Sequence, residues 1–300
     1  MNILITGGTG LIGQSFIKQF DNHSFTILTR APDKARVTHS GSVKFINSLD
    51  SLQDLNEFDA VINLAGEPIV DKRWSDKQKE LIQQSRWKTT QDLVYLFSCS
   101  HNPPEVFISG SAIGIYGNRG SEPLTESSAI QKEDFPTVLC MHWEALAKQA
   151  EAYTRVIVIR TGIVLSPQGG ALAKMLLPFK LCLGGRIGEG KQYMSWIHHQ
   201  DHINAINYLL TATDLSGAVN LVAPTPEVNR SFTQKLAHSL NRFAILPLPK
   251  RVLQLLLGES SCLLLDSQKV LPEVLLKNGF EFQFPHLQPA LVDVLKKDPK

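Results

Sequence analysis

The sequence predicts an α/β fold, a doubly wound parallel sheet with a smaller, mostly helical C-terminal substrate region. Three observations predict it. Over the first 165 residues, short apolar runs alternate with amphipathic stretches, the pattern of βαβ crossovers in a parallel sheet. The first run ends directly in "TGGTGLIG" (6–13), where a strand turns into a helix. After residue 165 the alternation loosens and glycine and proline gather.

The elements follow in order. "NILIT" (2–6) is rich in branched residues and ends in glycines, so it reads as a buried strand. "LIGQSFIKQFDN" (11–22) reads as a helix. "FTILTR" (25–30), "VKFIN" (43–47) and "DAVINLAG" (59–66) read as the next three strands. A long helix spans 75–99, with Ser75 as its cap. "EVFISGS" (105–111) is a fifth strand. A helix over 135–153 has Pro136 in its first turn, and "RVIVIRTGIVL" (155–165) is a sixth strand. Beyond it, one apolar helix lies among the glycines of 166–192. An amphipathic helix covers 200–213, and "AVNLVA" (218–223) returns to the sheet. Two or three helices fill the tail from about 229. The expected division is a dinucleotide-binding part over 1–165 and a second part over 166–300, interleaved through the returning strand.

Between a strand and a helix, Gly7, Gly10 and Gly13 sit at G-x-x-G-x-x-G spacing. This context gives a weak pattern meaning. The early glycines permit a tight turn and close approach to a pyrophosphate; Gly13 lets the helix pack on the sheet. The helix N-terminus offers free N–H groups and a positive dipole end. A Rossmann-type cofactor site follows, with Thr6, Gly7, Gly10, Leu11, Ile12 and Gly13 as its phosphate-facing residues. The plain alternative is a glycine turn without a ligand.

The end of the second strand selects the dinucleotide. NAD sites place Asp or Glu there to accept from the ribose. This chain has Thr29 and Arg30, with Lys34 and Arg36 behind them. A guanidinium can grip a 2′-phosphate in bidentate fashion, so NADP(H) is expected over NAD. Asp33 speaks for NAD, and Arg30 could be only a solvated charge.

Composition excludes several classes. Thirty basic against 28 acidic residues leave a net charge of +2, no argument for nucleic acid or an acidic membrane. No apolar run approaches the length of a membrane span. The four cysteines are far apart, without a CxxC pair, so neither zinc nor a disulfide framework is suggested. A reduced, cytoplasmic protein is expected, with a small-molecule substrate, as monomer or homodimer.

In this order, "ITGGTGLIG", "VINLAG" and "SGSAIGIYG" resemble the extended short-chain dehydrogenase/reductase superfamily. "NLAGEPIVDKRW", "FISGSAIGIYG", "RTGIVLSPQGGALAKMLLPF", "GGRIGEGKQYMSWIHHQD" and "LLLGESS" narrow this. They resemble its atypical YfcH-like "epimerase family protein" branch over essentially the whole chain. The resemblance implies an extended Rossmann fold binding NADP(H), and an oxidoreductase or epimerase-like activity on a small carbonyl or hydroxyl compound, a sugar nucleotide included.

In that superfamily a Ser or Thr follows the fifth strand and a Tyr-x-x-x-Lys lies on the next helix. The Tyr exchanges a proton with the substrate while the nicotinamide exchanges a hydride. Here Ser111 matches the serine, with Ser109 two residues before. Cys140 falls at the Tyr position, Glu144 at the Lys position, and Arg86 near an Asn some relatives use. A thiol is a weak hydrogen-bond donor, and a carboxylate beside it disfavours the thiolate. Lys148, one turn further along the face, could pair with Glu144. Cys140 could equally be a small core residue. Tyr116 is a substitute acid or a packing aromatic. The candidate catalytic residues are therefore Ser111, Cys140, Glu144 and Tyr116.

Further cofactor contacts are expected from Asn63, Leu64, Ala65 and Gly66, and from Arg160 and Thr161 in the stretch that flanks the nicotinamide in relatives. Lys72, Arg73 and Trp74 could form an anionic and stacking subsite. His198 and His199 lack a third partner, so a structural role is expected and no metal. The glycines around Arg186 suggest a tight, mobile loop. Two readings remain open: an NADP(H)-dependent enzyme without the usual Tyr and Lys, or a non-catalytic NADP(H)-binding redox sensor.

Overall fold

The computed structural model describes residues 1–32, 43–131 and 134–296. Seven parallel strands form the main sheet: β1 (Asn2–Thr6), β2 (Ser24–Leu28), β3 (Val43–Ile46), β4 (Ala60–Asn63), β5 (Val106–Ala112), β7 (Arg155–Thr161) and β11 (Gly217–Leu221). Their order is β11-β7-β5-β4-β1-β2-β3. The chain winds outward from β1 in one direction and then from β4 in the other, so the topological switch lies between β1 and β4. Ligands of open α/β sheets bind at the carboxyl edge of such a switch.

Alternation along the strands feeds two layers. Ile3 and Ile5 face a cluster with Phe16 and Ile17 of α1 (Leu11–Gln19) and Ile203, Ile206 and Leu209 of α5 (His199–Thr211). Leu4, Phe107 and Val158 face the opposite cluster. Its helical part is Leu93, Val94 and Phe97 of α2 (Asp76–Cys99), with α3 (Phe135–Lys148) beside it. Ser75 caps α2, its hydroxyl accepting from the Gln78 N–H at 3.2 Å. Asp134 caps α3 through the Thr137 N–H at 2.9 Å. Each cap satisfies a donor that a helix start leaves free.

Three expectations are corrected. The helix expected over 135–153 ends at Lys148 and tightens into a 3-10 turn, Gln149–Ala152, a frequent way for a helix to close. The strand expected over 155–165 breaks at Gly162. Its last residues form β8 (Ile163–Leu165), which pairs not with the main sheet but with β10 (Trp196–His198). The partner changes there: Gly162 N–H still donates to the Leu221 carbonyl of β11 at 3.2 Å, Ile163 N–H to the Ser195 carbonyl at 2.9 Å, and a Cβ on Gly162 would lie 2.6 Å from that oxygen. The tail has five short helices among the described residues rather than two or three. They are α6 (Asn229–Ser239), α7 (Lys250–Leu257), α8 (Cys262–Leu265), α9 (Glu273–Lys277) and α10 (Leu287–Lys296). Pro249, Gly258, Pro272 and Gly279 punctuate it.

The C-terminal core joins Leu172, Leu176 and Phe179 of α4 (Gly170–Lys180), Trp196 of β10, Phe232 and Leu236 of α6, and Leu287 and Leu291 of α10. Short pairs tie it to the rest: β6 (Pro123–Leu124) with β13 (Lys269–Val270), and β9 (Tyr193–Met194) with β12 (Glu227–Val228). The fold is the Rossmann-like α/β class expected, with a helical C-terminal region.

Candidate active site

At the switch point the glycine loop is closed to side chains. Gly7 has φ +70°, and a Cβ there would lie 2.6 Å from the Leu64 carbonyl. A Cβ on Gly13 would lie 2.5 Å from the Gly7 oxygen. The Gly10 N–H donates to that oxygen at 2.9 Å, completing the turn. Gly10 caps α1 with no side-chain hydrogen bond, and no acidic residue stands in the first turn. That helix end is dressed for an anion rather than for a side chain.

The ends of β1 and β4 are locked together. The Thr6 hydroxyl donates to Asn63 Oδ1 at 2.6 Å and accepts from the Ala65 N–H at 3.1 Å. Asn63 Nδ2 donates to Thr90 Oγ1 at 2.8 Å, which also accepts from Trp143 Nε1 at 2.9 Å. Thus Asn63, Leu64, Ala65 and Gly66 border the loop, and the Arg86 guanidinium lies against Gly66. Thr29 and Arg30 follow the end of β2. The Thr29 N–H is taken by the Ile46 carbonyl at 2.9 Å, and Arg30 is exposed. Asp33, Lys34 and Arg36 lie outside the described residues.

The second half of the site comes from strand register. Ser111 pairs with Arg160, and Arg160 with Asn220, across β5, β7 and β11. Glu144 descends from α3. Ser111 Oγ donates to Glu144 Oε1 at 2.7 Å. Arg160 donates to the same carboxylate twice, Nε to Oε1 and Nη2 to Oε2, each at 2.9 Å. Its Nη1 donates to the Tyr116 hydroxyl at 2.9 Å, and that hydroxyl donates to Asn220 Oδ1 at 2.8 Å. All five residues are buried. Burial alone would lower the Arg160 pKa, but the Glu144 carboxylate, with help from Tyr116, raises it overall. Arg160 is therefore a fixed cation and Glu144 its bidentate counter-ion.

The candidates separate. Ser111 and Glu144 stand in direct contact. Tyr116 has both hydroxyl roles occupied, and burial raises its pKa. The Cys140 thiol is buried and pushed up to about 11, first by burial and then by Glu144. Lys148 is not the partner of Glu144: Arg160 is. Arg86 donates to the Glu67 and Ile82 carbonyls at 3.1 Å each and lies over the Trp143 ring. Thr161 Oγ1 lies 3.0 Å from His202 Nε2, and burial lowers that imidazole to about 3.

One subsite expectation is corrected. Trp74 is a core residue, its ring packed on Phe135 and its N–H donated to the Ile69 carbonyl at 2.9 Å. It offers no open stacking face. The Arg186 loop is tied to the 243–248 segment: Leu248 N–H donates to the Arg186 carbonyl and Gly188 N–H to the Leu248 carbonyl, both at 2.9 Å. His198 caps α5, accepting from the Gln200 N–H at 3.1 Å. Sequence reasoning missed Asn220 and the role of Arg160 in the network. One signal was available, since a charge inside the apolar run "RVIVIRTGIVL" demands a buried partner.

Comparison with known proteins places these features in company. The sequence profile of the NAD dependent epimerase/dehydratase family matches residues 3–222. A domain of unknown function (DUF1731) matches 248–294. The epimerase family protein MW0731 of Staphylococcus aureus (strain MW2) is 38% identical over 301 residues, covering 98% of this chain and 99% of its own. The crystal structure of the human epimerase family protein SDR39U1 (isoform 2) with NADPH superposes with a TM-score of 0.91 at 34% identity, covering 99% of both chains. The nucleoside-diphosphate sugar epimerase of Corynebacterium glutamicum gives a TM-score of 0.76 at 29% identity, over 98% of this chain and 58% of that one.

Proposed function

Because the chain belongs to the NAD dependent epimerase/dehydratase family, we propose that it binds NADP(H) and exchanges hydride with a small carbonyl or hydroxyl compound, with Ser111 and Glu144 handling the proton. The single observation that carries this reading is the 2.7 Å hydrogen bond from Ser111 to a carboxylate that Arg160 grips in bidentate fashion.

The cofactor part rests on fit. The glycine cradle excludes any Cβ where a pyrophosphate would approach, and the α1 N-terminus is free for its charge. Thr29 and the exposed Arg30 stand where an NAD site would carry a carboxylate, which favours a 2′-phosphate. The human relative's NADPH supports the same choice. The phosphate end would be held by Thr6, Gly7, Gly10, Leu11, Ile12 and Gly13, and the ribose-nicotinamide side by Asn63, Leu64, Ala65 and Gly66. Arg160 and Thr161 then act from behind, through the side chains they hold.

The bound nicotinamide supplies the hydride donor or acceptor. The chain supplies the proton path. In the oxidising direction, the substrate hydroxyl gives its proton to Ser111 Oγ as the Ser111 proton passes to Glu144 Oε1. The reducing direction runs the same transfers backward and needs Glu144 protonated. Begun with oxidation, as an epimerase cycle is, the path uses Glu144 as the proton acceptor while Arg160 fixes its position. Sugar nucleotides belong to this substrate class.

Glu144→Gln keeps the shape and removes the base. Turnover of an alcohol substrate with NADP⁺ is expected to fall about 10²- to 10⁴-fold, with NADPH affinity retained. Wild-type turnover in this variant would remove Glu144 from the reaction.

A second reading has its own observation. Cys140, Glu144 and Tyr116 are all buried, and Glu144 and Tyr116 already have partners. A cofactor-holding redox sensor would retain NADPH through purification, turn over no alcohol or aldehyde, and change partner or oligomeric state between NADP⁺ and NADPH.

A further inference from the structure

The exposed apolar side chains are not scattered. Among the described residues, nine of the 17 large apolar side chains that are exposed fall in two segments, 177–183 and 243–256. Phe243, Ile245 and Leu255 are 76%, 75% and 77% exposed. The segments form one surface. Arg242 Nε donates to the Lys180 carbonyl at 3.1 Å, and Ile187 pairs with Leu248. A Cβ on Gly185 would collide with the Leu246 carbonyl. On α7, Leu253 alone is buried, while Val252, Leu255 and Leu256 face outward.

Charge on this surface is segregated. Residues 177–186 and 241–257 carry Lys180, Arg186, Arg242, Lys250 and Arg251, all exposed, and no Asp or Glu. Carboxylates stand only at its margins: Glu189 pairs with Lys191 beside Arg186, and Glu259, paired with Lys79, lines one pocket with Asp266 and Lys250. A net charge of +2 over the whole chain conceals this.

Apolar patches of this extent mark a partner. A second copy placed face to face would set five cations against five, with carboxylates only at the margins of the face. An anionic lipid surface answers both features at once: headgroups meet the Lys and Arg ring, and Phe243, Ile245, Leu255 and Leu256 enter the acyl boundary. No described helix is long and apolar enough to cross a membrane, so the contact is peripheral. We propose that this face, formed by α7, the 243–248 segment and the end of α4, docks the protein reversibly on an anionic phospholipid bilayer.

The test is sedimentation of the full chain with phosphatidylcholine vesicles, plain or with about one-third phosphatidylglycerol. Binding to the anionic vesicles alone, released by high salt, is expected. Lys250→Glu with Arg251→Glu should weaken it at least about tenfold. Phe243→Ser with Ile245→Ser should do the same. Lys18→Glu with Lys77→Glu, an equal charge change on other exposed residues, should leave most of it. Absence of binding, equal binding to neutral vesicles, or equal loss in the control pair would overturn the proposal. So would a soluble dimer, seen by light scattering, that Phe243→Ser with Ile245→Ser dissolves. Should a variant fail to fold, the wild-type contrast between vesicles and its salt response decide alone.

Discussion

Arg160 is the residue on which the site turns. Its guanidinium is nearly inaccessible and carries a bidentate carboxylate, a tyrosine hydroxyl and, at 3.3 Å, the Glu126 carbonyl. Removing one partner of such a buried pair leaves the other charge stranded, at a cost of about 3–5 kcal/mol. Arg160→Met should lose that much in urea unfolding. Arg160→Met combined with Glu144→Leu should recover much of it, because no lone charge is left. A double variant as unstable as the single one would show that the pair is not the source. His202 makes a separate prediction. Burial, with His199 adding to it, lowers its folded pKa to about 3, below the unfolded value. Its contribution is therefore whole above about pH 6.5 and is lost as pH falls toward 3. Between pH 7 and pH 5 the protein should lose about 2 kcal/mol through this group. His202→Gln should flatten that slope in denaturation curves.

Elements show what the sequence could and could not say. The glycine loop was legible because its pattern is local: strand, turn and helix follow one another, and Gly13 meets Gly7 within a few residues, although Gly7 itself meets the distant Leu64 carbonyl. The caps Ser75 and Asp134 were within reach for the same reason, and Ser75 was read. The partner of Glu144 was not. Helical spacing pointed to Lys148, four residues on, whereas the true partner lies on β7, 16 residues away and reached by register. Local pattern cannot weigh a contact set by strand pairing against one set by helical turn. The split of 155–165 escaped because a Gly in an apolar run is ambiguous until the neighbouring backbone is known. Helix α5 carries a prediction at this scale. Asp201 at its start accepts from the Gln283 and Phe284 N–H groups at 2.8 and 2.9 Å. Asp201→Ala should strip both bonds and speed amide exchange across 280–296 by at least about tenfold, while β1, β4 and β5 keep their protection. Uniform loss of protection would mean global unfolding instead.

At the scale of the molecule, the chain passes between the two cores repeatedly. It leaves the main sheet at Gly162, comes back as β11, and is sewn again where Tyr116 meets Asn220 and Glu126 accepts from the Asn220 and Val274 N–H groups. The seam at Gly162 has a mechanical consequence. There is no room for even a methyl group between Gly162 and Ser195, so the two backbones are packed in direct contact at this junction. The two parts are therefore expected to move together, with a ligand admitted by loop rearrangement rather than by jaw-like closure. Small-angle scattering should then give the same radius of gyration with and without NADPH, and Gly162→Ala should behave as a folding defect, not as a locked-open form.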